Sequence, residues 1–259
     1  AVPSYGIIKV TGRNYMEFLI GVDVGGTFTD GVVVDEKGNL NIFKVPTTNK
    51  NPSVGFMNCL KKASEFYQVP FKDFLSRTHK LCWGTTIATN ALIQGKVART
   101  GLITTKGHRD ALPIARISRE YLDIDLQVEK PPSLIPRHMI EEIIERVDYK
   151  GSVITPINMD SVEKAVDSLI SKGAQAIAVC LLWSFKNPGH EKKVKEAIQK
   201  KNSNIFISVS HEIAPVIGEY ERAATVTMNA SLGPVIEKEI ATVARELKAN
   251  GLRSPLLLM

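Results

Sequence analysis

The 259-residue chain has only three cysteines, Cys59, Cys82 and Cys180, with no C-x-x-C pair among them. That excludes a disulfide framework or a zinc ribbon, and it predicts buried, reduced thiols in a cytoplasmic protein. No apolar run approaches the roughly 18 residues of a membrane span, and no signal peptide is visible, so no membrane association is expected. H-E-x-x-H and H-x-x-E-H are missing, as are the Lys-Ser/Thr of a P-loop and a G-x-G-x-x-G before a helix. Internal repeats and low-complexity tracts are absent too. Aromatic residues are sparse at 7%, and none interleaves with the densest basic segment, Glu191 to Lys201. Its Glu191/Lys195 and Glu196/Lys200 pairs fall at i,i+4, as on a solvated helix face. The net charge of +6 therefore carries no expectation of nucleic-acid binding.

What is present is globular: 44% hydrophobic and 23% charged residues, enough chain to bury a sizeable core. The stretch around which the rest is organised is Ile20-Gly21-Val22-Asp23-Val24-Gly25-Gly26-Thr27-Phe28-Thr29-Asp30. Two β-rich runs flank a Gly-Gly pair, which reads as a hairpin whose glycines supply positive φ. A tip without side chains lets backbone N–H groups close on an anion, and Thr27 and Thr29 add hydroxyl donors. Asp23 and Asp30 would repel a phosphate unless a divalent cation lay between them. Carboxylates together with phosphate oxygens are a usual Mg²⁺ environment.

Residues 1–15 show little periodicity and stand as a leader outside the site. Strands are expected at 17–24, 29–35 and 40–46, followed by a helix over 52–67 opened by Asn51-Pro52. Thr78 to Trp83 is a short strand, and Gly84-Thr85-Thr86 leads into the next helix. Those threonines either face an anion at the helix N-terminus or simply cap it. A strand runs from about 99 to 105; Arg116 follows its exit, where it could neutralise phosphate or stand as a surface arginine. Residues 121–140 are polar and Pro-rich, a surface excursion. Glu141 to Val147 reads as one strand, and Asp160 with Glu163 as the capping box of a helix to about 172. Ala174 to Leu182 is a strand buried on both faces, and Ile205 to Val209 another. His211-Glu212 is either an acid/base or ligand pair or a structural one, and the missing metal spacing favours structure. His79, His108, His138 and His190 take surface or capping roles, and Glu221-Arg222 an intrahelical or domain-bridging pair. From Gly218 to Asn250 the pattern is helical, kinked or broken at Gly233-Pro234 and ended by Gly251. Pro255 to Met259 starts an apolar strand, which marks the chain as the front part of a longer polypeptide. The alternation indicates an α/β fold with a mixed sheet and right-handed crossovers.

The spelling Asp23-Val24-Gly25-Gly26-Thr27-Phe28-Thr29-Asp30 resembles the first phosphate motif of actin-like ATPases and, more narrowly, of the hydantoinase/5-oxoprolinase/acetone carboxylase family. Further blocks resemble the family in the same order. They are Gly84 to Ile93, Gly101 to Gly107, Glu145-Arg146-Val147, Ser184 to Glu191, Ser210-His211-Glu212 and Glu219 to Ala223. The resemblance covers about 17–259. It implies an actin-like (ribonuclease-H-like) α/β fold and divides the chain into residues 1–16 as leader, 17–200 as the family's N-terminal domain and 201–259 as the start of its main domain.

It also implies ATP and Mg²⁺. Asp23 would hold the metal and Asp30 support it, while Gly25, Gly26, Thr27, Thr29, Thr85, Thr86 and Arg116 serve the phosphates. The substrate would be a small cyclic amide, opened after its oxygen is phosphorylated, or a ketone that is carboxylated; a third reading is a non-catalytic binding fragment with a decayed site, against which the intact Asp23 and Asp30 argue. The partners would be the remainder of the polypeptide and a hydantoinase B-type subunit. Family members carry a second Asp-x-Gly-Gly-Thr hairpin and an adenosine site, which this chain lacks, so alone it should not close around a nucleotide.

Overall fold

The computed structural model of the chain describes residues 17–48, 52–116 and 133–259. The leader, Asn51 and most of the Pro-rich excursion lie outside the described residues. In chain order, β1 (Phe18–Val24), β2 (Phe28–Val34) and β3 (Leu40–Pro46) are followed by α1 (Pro52–Phe66), α2 (Phe71–Ser76), β4 (Thr78–Thr85) and α3 (Ile87–Ile93). Next come β5 (Thr100–Thr105), α4 (Ala111–Ile114), β6 (Ile140–Ile143), β7 (Arg146–Val147), β8 (Val153–Thr155) and α5 (Met159–Ser171). The chain continues through β9 (Ala176–Cys180), α6 (Gly189–Lys201), β10 (Phe206–Val209), α7 (Ser210–Ile213), α8 (Glu219–Ala249) and β11 (Leu256–Leu258).

Two compact units result. One comprises residues up to Ile87 together with 239–259; the other runs from Ala88 to Lys238. The first is a five-stranded mixed sheet in the order β11-β4-β1-β2-β3. Strand alternation turns Phe18, Ile20, Val22 and Val24 to one face, where Phe56, Leu60, Phe74, Leu81, Trp83, Val243 and Leu247 complete the core. The opposite face stays open: Leu19, Val32, Leu40 and Ile42 are exposed on it, Ile42 by 71%.

The second unit holds a four-stranded sheet, β10-β9-β5-β6, whose strands all run parallel. β9 is buried at every position, as its unbroken apolar run requires. Helix α5 covers this sheet with Val162, Ala165, Val166 and Leu169, the i, i+3, i+4, i+7 spacing of a core-facing stripe. Each of the larger buried side chains contributes about 1.5–3 kcal/mol.

Several expectations need correcting. The α5 cap is Asn158, whose side chain accepts from the Ser161 amide at 2.8 Å, not the Asp160/Glu163 box. Glu141 to Val147 forms two strands. Ile135 and Met139, at the end of the Pro-rich segment, are buried in the core rather than on the surface. Helix α8 continues through Gly233-Pro234, so the helix is not broken there. Proline removes the intrahelical donor for the Ala230 carbonyl, and beside it the Ser231 carbonyl accepts from the Ala98 amide at 2.8 Å. Gly251, at φ +99°, ends α8 as expected, and the Leu252 amide closes onto the Leu247 carbonyl at 3.0 Å.

Candidate functional site

The β1–β2 hairpin sets Asp23 directly opposite Asp30 and Val24 opposite Thr29. On the other side of β1, Gly84 of β4 is in register with Asp23, and Lys44 of β3 is in register with Asp30. Directly paired residues share a face, so Gly84, Asp23, Asp30 and Lys44 form one row across the open face of the sheet. Asp23 is exposed and has no hydrogen-bond or ion-pair partner among the described residues. Asp30 is held by Lys44, Nζ to Oδ1 3.0 Å. A side chain at Gly84 would press on Asp23, its Cβ 3.0 Å from Oδ1, so the glycine leaves the carboxylate its room.

The tip departs from the sequence expectation in one respect. Neither Gly25 nor Gly26 has a left-handed backbone. The two are required for different reasons. A Cβ at Gly25 would come within 3.0 Å of the Phe28 carbonyl oxygen, to which the Gly25 amide donates at 3.1 Å. A Cβ at Gly26 would meet nothing within 4 Å, so the tip opens onto free space beside exposed Thr27.

Three expected phosphate contacts are committed elsewhere. Thr29 is fully buried, and its hydroxyl shares a 2.8 Å hydrogen bond with that of Thr47, because alternation turns it away from Asp30 to the α1 side of the sheet. Thr85 lies in register with buried Val24, and its hydroxyl accepts from the Ile87 amide at 3.2 Å, capping α3. Arg116 belongs to the second unit, where Nε and an Nη grip Glu221 at 2.6 and 3.2 Å. Thr86 is exposed at the start of α3.

Among the described residues no three His, Cys, Asp or Glu side chains gather as a metal cage. The donor set is instead the Asp23/Asp30 pair facing solvent. It fits a hard cation that takes its other ligands from water and phosphate, as Mg²⁺ does.

The hydantoinase/oxoprolinase N-terminal region matches residues 19–202. The chain belongs to that family. It is 36% identical over 253 residues to the acetophenone carboxylase gamma subunit of Aromatoleum aromaticum, a match that covers 93% of this chain and 34% of that protein. The ATP-dependent caprolactamase of Pseudomonas jessenii superposes with a TM-score of 0.83 at 29% identity, over 93% of this chain and 35% of that one. A nucleotide-free acetone carboxylase superposes with a TM-score of 0.85 at 23% identity, over 94% and 36% respectively. The fold is therefore that of the actin-like ATPases. The chain spans about a third of the length of these relatives.

The second unit of this hydantoinase/oxoprolinase chain carries a polar network that the sequence did not disclose. Glu191, expected on a solvated helix face, is fully buried. Its carboxylate accepts from the Leu181 amide (2.9 Å), the Ser210 hydroxyl (2.6 Å) and the His211 amide (2.9 Å), and meets His211 Nδ1 at 2.7 Å. Burial opposes its ionisation, but these hydrogen bonds outweigh it and hold the carboxyl below the usual range. Arg222, also buried, donates to the Leu181 carbonyl at 3.0 Å and to the hydroxyls of Ser184 and Ser210. Neighbouring His190, expected at the surface, is buried with Nδ1 2.7 Å from Glu145 Oε2. Glu212 is exposed, paired with Lys195 at 2.7 Å and 3.9 Å from His211 Nε2, while the other ring nitrogen of His211 is taken by Glu191. Glu145 in turn accepts from the hydroxyl of Thr105 at the end of β5, so the adjacent residues His190 and Glu191 tie the C-terminal ends of β5, β9 and β10 together through separate partners. No apolar helix long enough to cross a membrane exists among the described residues.

Proposed function

We propose that the chain is the N-terminal, phosphate-holding part of an ATP-dependent amidohydrolase of hydantoin or oxoproline type. The observation that carries this reading is the row in which Asp23, without a partner among the described residues, stands beside Asp30 at the foot of an open Gly25-Gly26-Thr27 tip. The ATP-dependent chemistry in the names of its relatives supports it.

The amide oxygen attacks the γ-phosphorus, the bond to ADP breaks, and the O-phosphorylated carbon becomes electrophilic. Water adds at that carbon, the ring C–N bond breaks, and phosphate leaves by hydrolysis. Asp23 would hold Mg²⁺ directly or through water, with Asp30 supporting it. When bound, the metal neutralises the phosphoryl oxygens and aligns them. The amides of Gly25, Gly26 and Thr27 close on phosphate, and the absence of side chains there lets a ligand approach the backbone. Thr29 and Thr85 brace the hairpin and α3 rather than touching phosphate.

A second reading, subunit of an ATP-dependent ketone carboxylase, is favoured by the 36% identity to the acetophenone carboxylase gamma subunit. There the phosphorylated oxygen is that of an enol, and a carboxylation follows. In either case residues 17–200 form the family's N-terminal domain and 201–259 begin the main one. The remainder of the polypeptide and a hydantoinase B-type subunit complete the site. The free thiols of Cys59, Cys82 and Cys180 suit a reducing compartment, and we place the protein in the cytoplasm.

The test is ADP release by the full-length polypeptide, with its second subunit, on cyclic amides and on ketones with bicarbonate. Amide-dependent release without bicarbonate is expected; bicarbonate-dependent release on ketones selects the second reading. Residues 17–259 alone should not hydrolyse ATP, since in-line transfer needs the β- and γ-oxygens clamped together. Equal rates for the fragment and the full-length protein overturn the assignment of the site.

A further inference from the structure

The row Gly84–Asp23–Asp30–Lys44 includes a cation of the protein's own. Lys44 Nζ lies 3.0 Å from Asp30 Oδ1 and 4.9 Å from the centroid of the Phe28 ring. Both partners of the ion pair are about half exposed, Lys44 by 57% and Asp30 by 47%. Such a pair is worth only about 0–1 kcal/mol, so it is easily exchanged. Two carboxylates directly opposite one another on a sheet repel, and a lysine beside them offsets that repulsion.

Lys44 also points the way to the tip. Phe28, against which its ammonium rests, closes the hairpin by accepting from the Gly25 amide. Along the strand, Phe28 is two residues from Asp30, about 7 Å, a distance the flexible four-carbon stem of a lysine spans.

Resting on the phosphate-site reading above, we propose that Lys44 is the exchangeable counter-ion of this site. It neutralises Asp30 when no divalent cation is bound, and it turns its ammonium to the phosphoryl oxygens when a metal-bound nucleotide enters. A divalent cation beside Asp23 and Asp30 expels the ammonium from Asp30 by like-charge repulsion, and the nucleotide's phosphates, delivered at the tip, receive it. Lys44 is thus a competitor of bare metal and an ally of metal-nucleotide. A lysine with a merely structural role has neither effect.

The experiment measures Mn²⁺ alone and Mg²⁺ with a non-hydrolysable ATP analogue, each titrated calorimetrically into the full-length wild type, Lys44→Met, Lys44→Arg and Asp23→Ala. Lys44→Met keeps the apolar stem over Phe28 and removes the charge. It is expected to bind Mn²⁺ about three- to tenfold more tightly and the analogue complex about tenfold more weakly. Lys44→Arg should keep both affinities within about threefold of wild type. If Lys44→Met leaves both affinities unchanged, or moves both in one direction, while Asp23→Ala abolishes them, the counter-ion role is overturned and the phosphate site stands. If Asp23→Ala keeps both affinities, or wild type binds neither ligand, the site itself is misassigned and the role of Lys44 falls with it. Unchanged melting temperatures confirm that the variants are folded, as the exposure of Lys44 leads one to expect.

Discussion

Asp23 and Asp30 face each other across the β1–β2 pair, and among the described residues only Asp30 has a cation beside it. Two like charges so placed weaken a hairpin by a few tenths of a kcal/mol to about 1 kcal/mol. The arrangement is unfavourable until a cation of higher charge arrives.

Asp23→Ala should therefore leave the fold intact and remove function. The side chain is exposed and has no partner among the described residues, so stability should change by less than about 0.5 kcal/mol. ATP-dependent turnover of the full-length protein should fall by about 10²-fold or more. Thermal melting and ADP release on the same preparation check both halves. An active Asp23→Ala protein refutes the role.

The three glycines of the site should respond differently to alanine. Gly25→Ala forces a Cβ onto the Phe28 carbonyl oxygen and should destabilise by about 1–3 kcal/mol. Gly26→Ala meets no atom and needs no left-handed backbone, so its stability should be near wild type while nucleotide affinity drops. Gly84→Ala crowds Asp23 Oδ1 and should impair turnover with little loss of stability. Urea denaturation and nucleotide titration separate the three outcomes.

Removing Arg222 leaves the Glu191 carboxylate buried without its nearby cation, 3.7 Å away, so Arg222→Met should cost about 3–5 kcal/mol. Glu191 itself sets a pH dependence. Its folded pKa lies below the unfolded value of about 4.3, so its contribution is complete above that pH and is lost as pH falls through the depressed folded value. Glu191→Gln should be less stable at pH 7 and should show a flatter decline below about pH 4.3. Urea midpoints between pH 3 and pH 7 test this.

Burial pushes the Cys59 thiol up to about 11 and the Cys180 thiol up to about 12. Both should resist iodoacetamide at pH 8 in the folded protein, whereas half-buried Cys82 should be labelled first. Peptide mass spectrometry after brief labelling reads the order. Early labelling of Cys180 contradicts its placement in β9.

What the sequence disclosed was local. The hairpin, the Asp23 position and the buried strand at Ala176–Cys180 follow from periodicity and glycine placement within a few residues. Lys44 escaped notice because it joins Asp30 only through the register of a second hairpin. Glu191 has the i,i+4 lysine partner of a surface helix, and only the packing of α6 against the ends of β9 and β10 shows it to be buried. His190 and Glu145 are 45 positions apart and meet through parallel strands, which no short window can show. Thr29 and Thr85 carry the right chemistry on the wrong face, because strand alternation fixes the direction of each hydroxyl.

The first unit is assembled out of order. β4 ends at Thr85, and its outer neighbour β11 begins at Leu256, after the whole second unit has been made. On a ribosome adding about 5–20 residues per second, that delay is roughly ten to thirty seconds. Throughout it, the outer edge of β4 at Leu81-Cys82-Trp83 has unpaired backbone groups, the kind of edge that recruits strands from other chains. The short apolar run at Leu256–Leu258 covers the edge of β4 when it pairs there, and nascent chains stalled before it leave that edge open to aggregation and to chaperone capture.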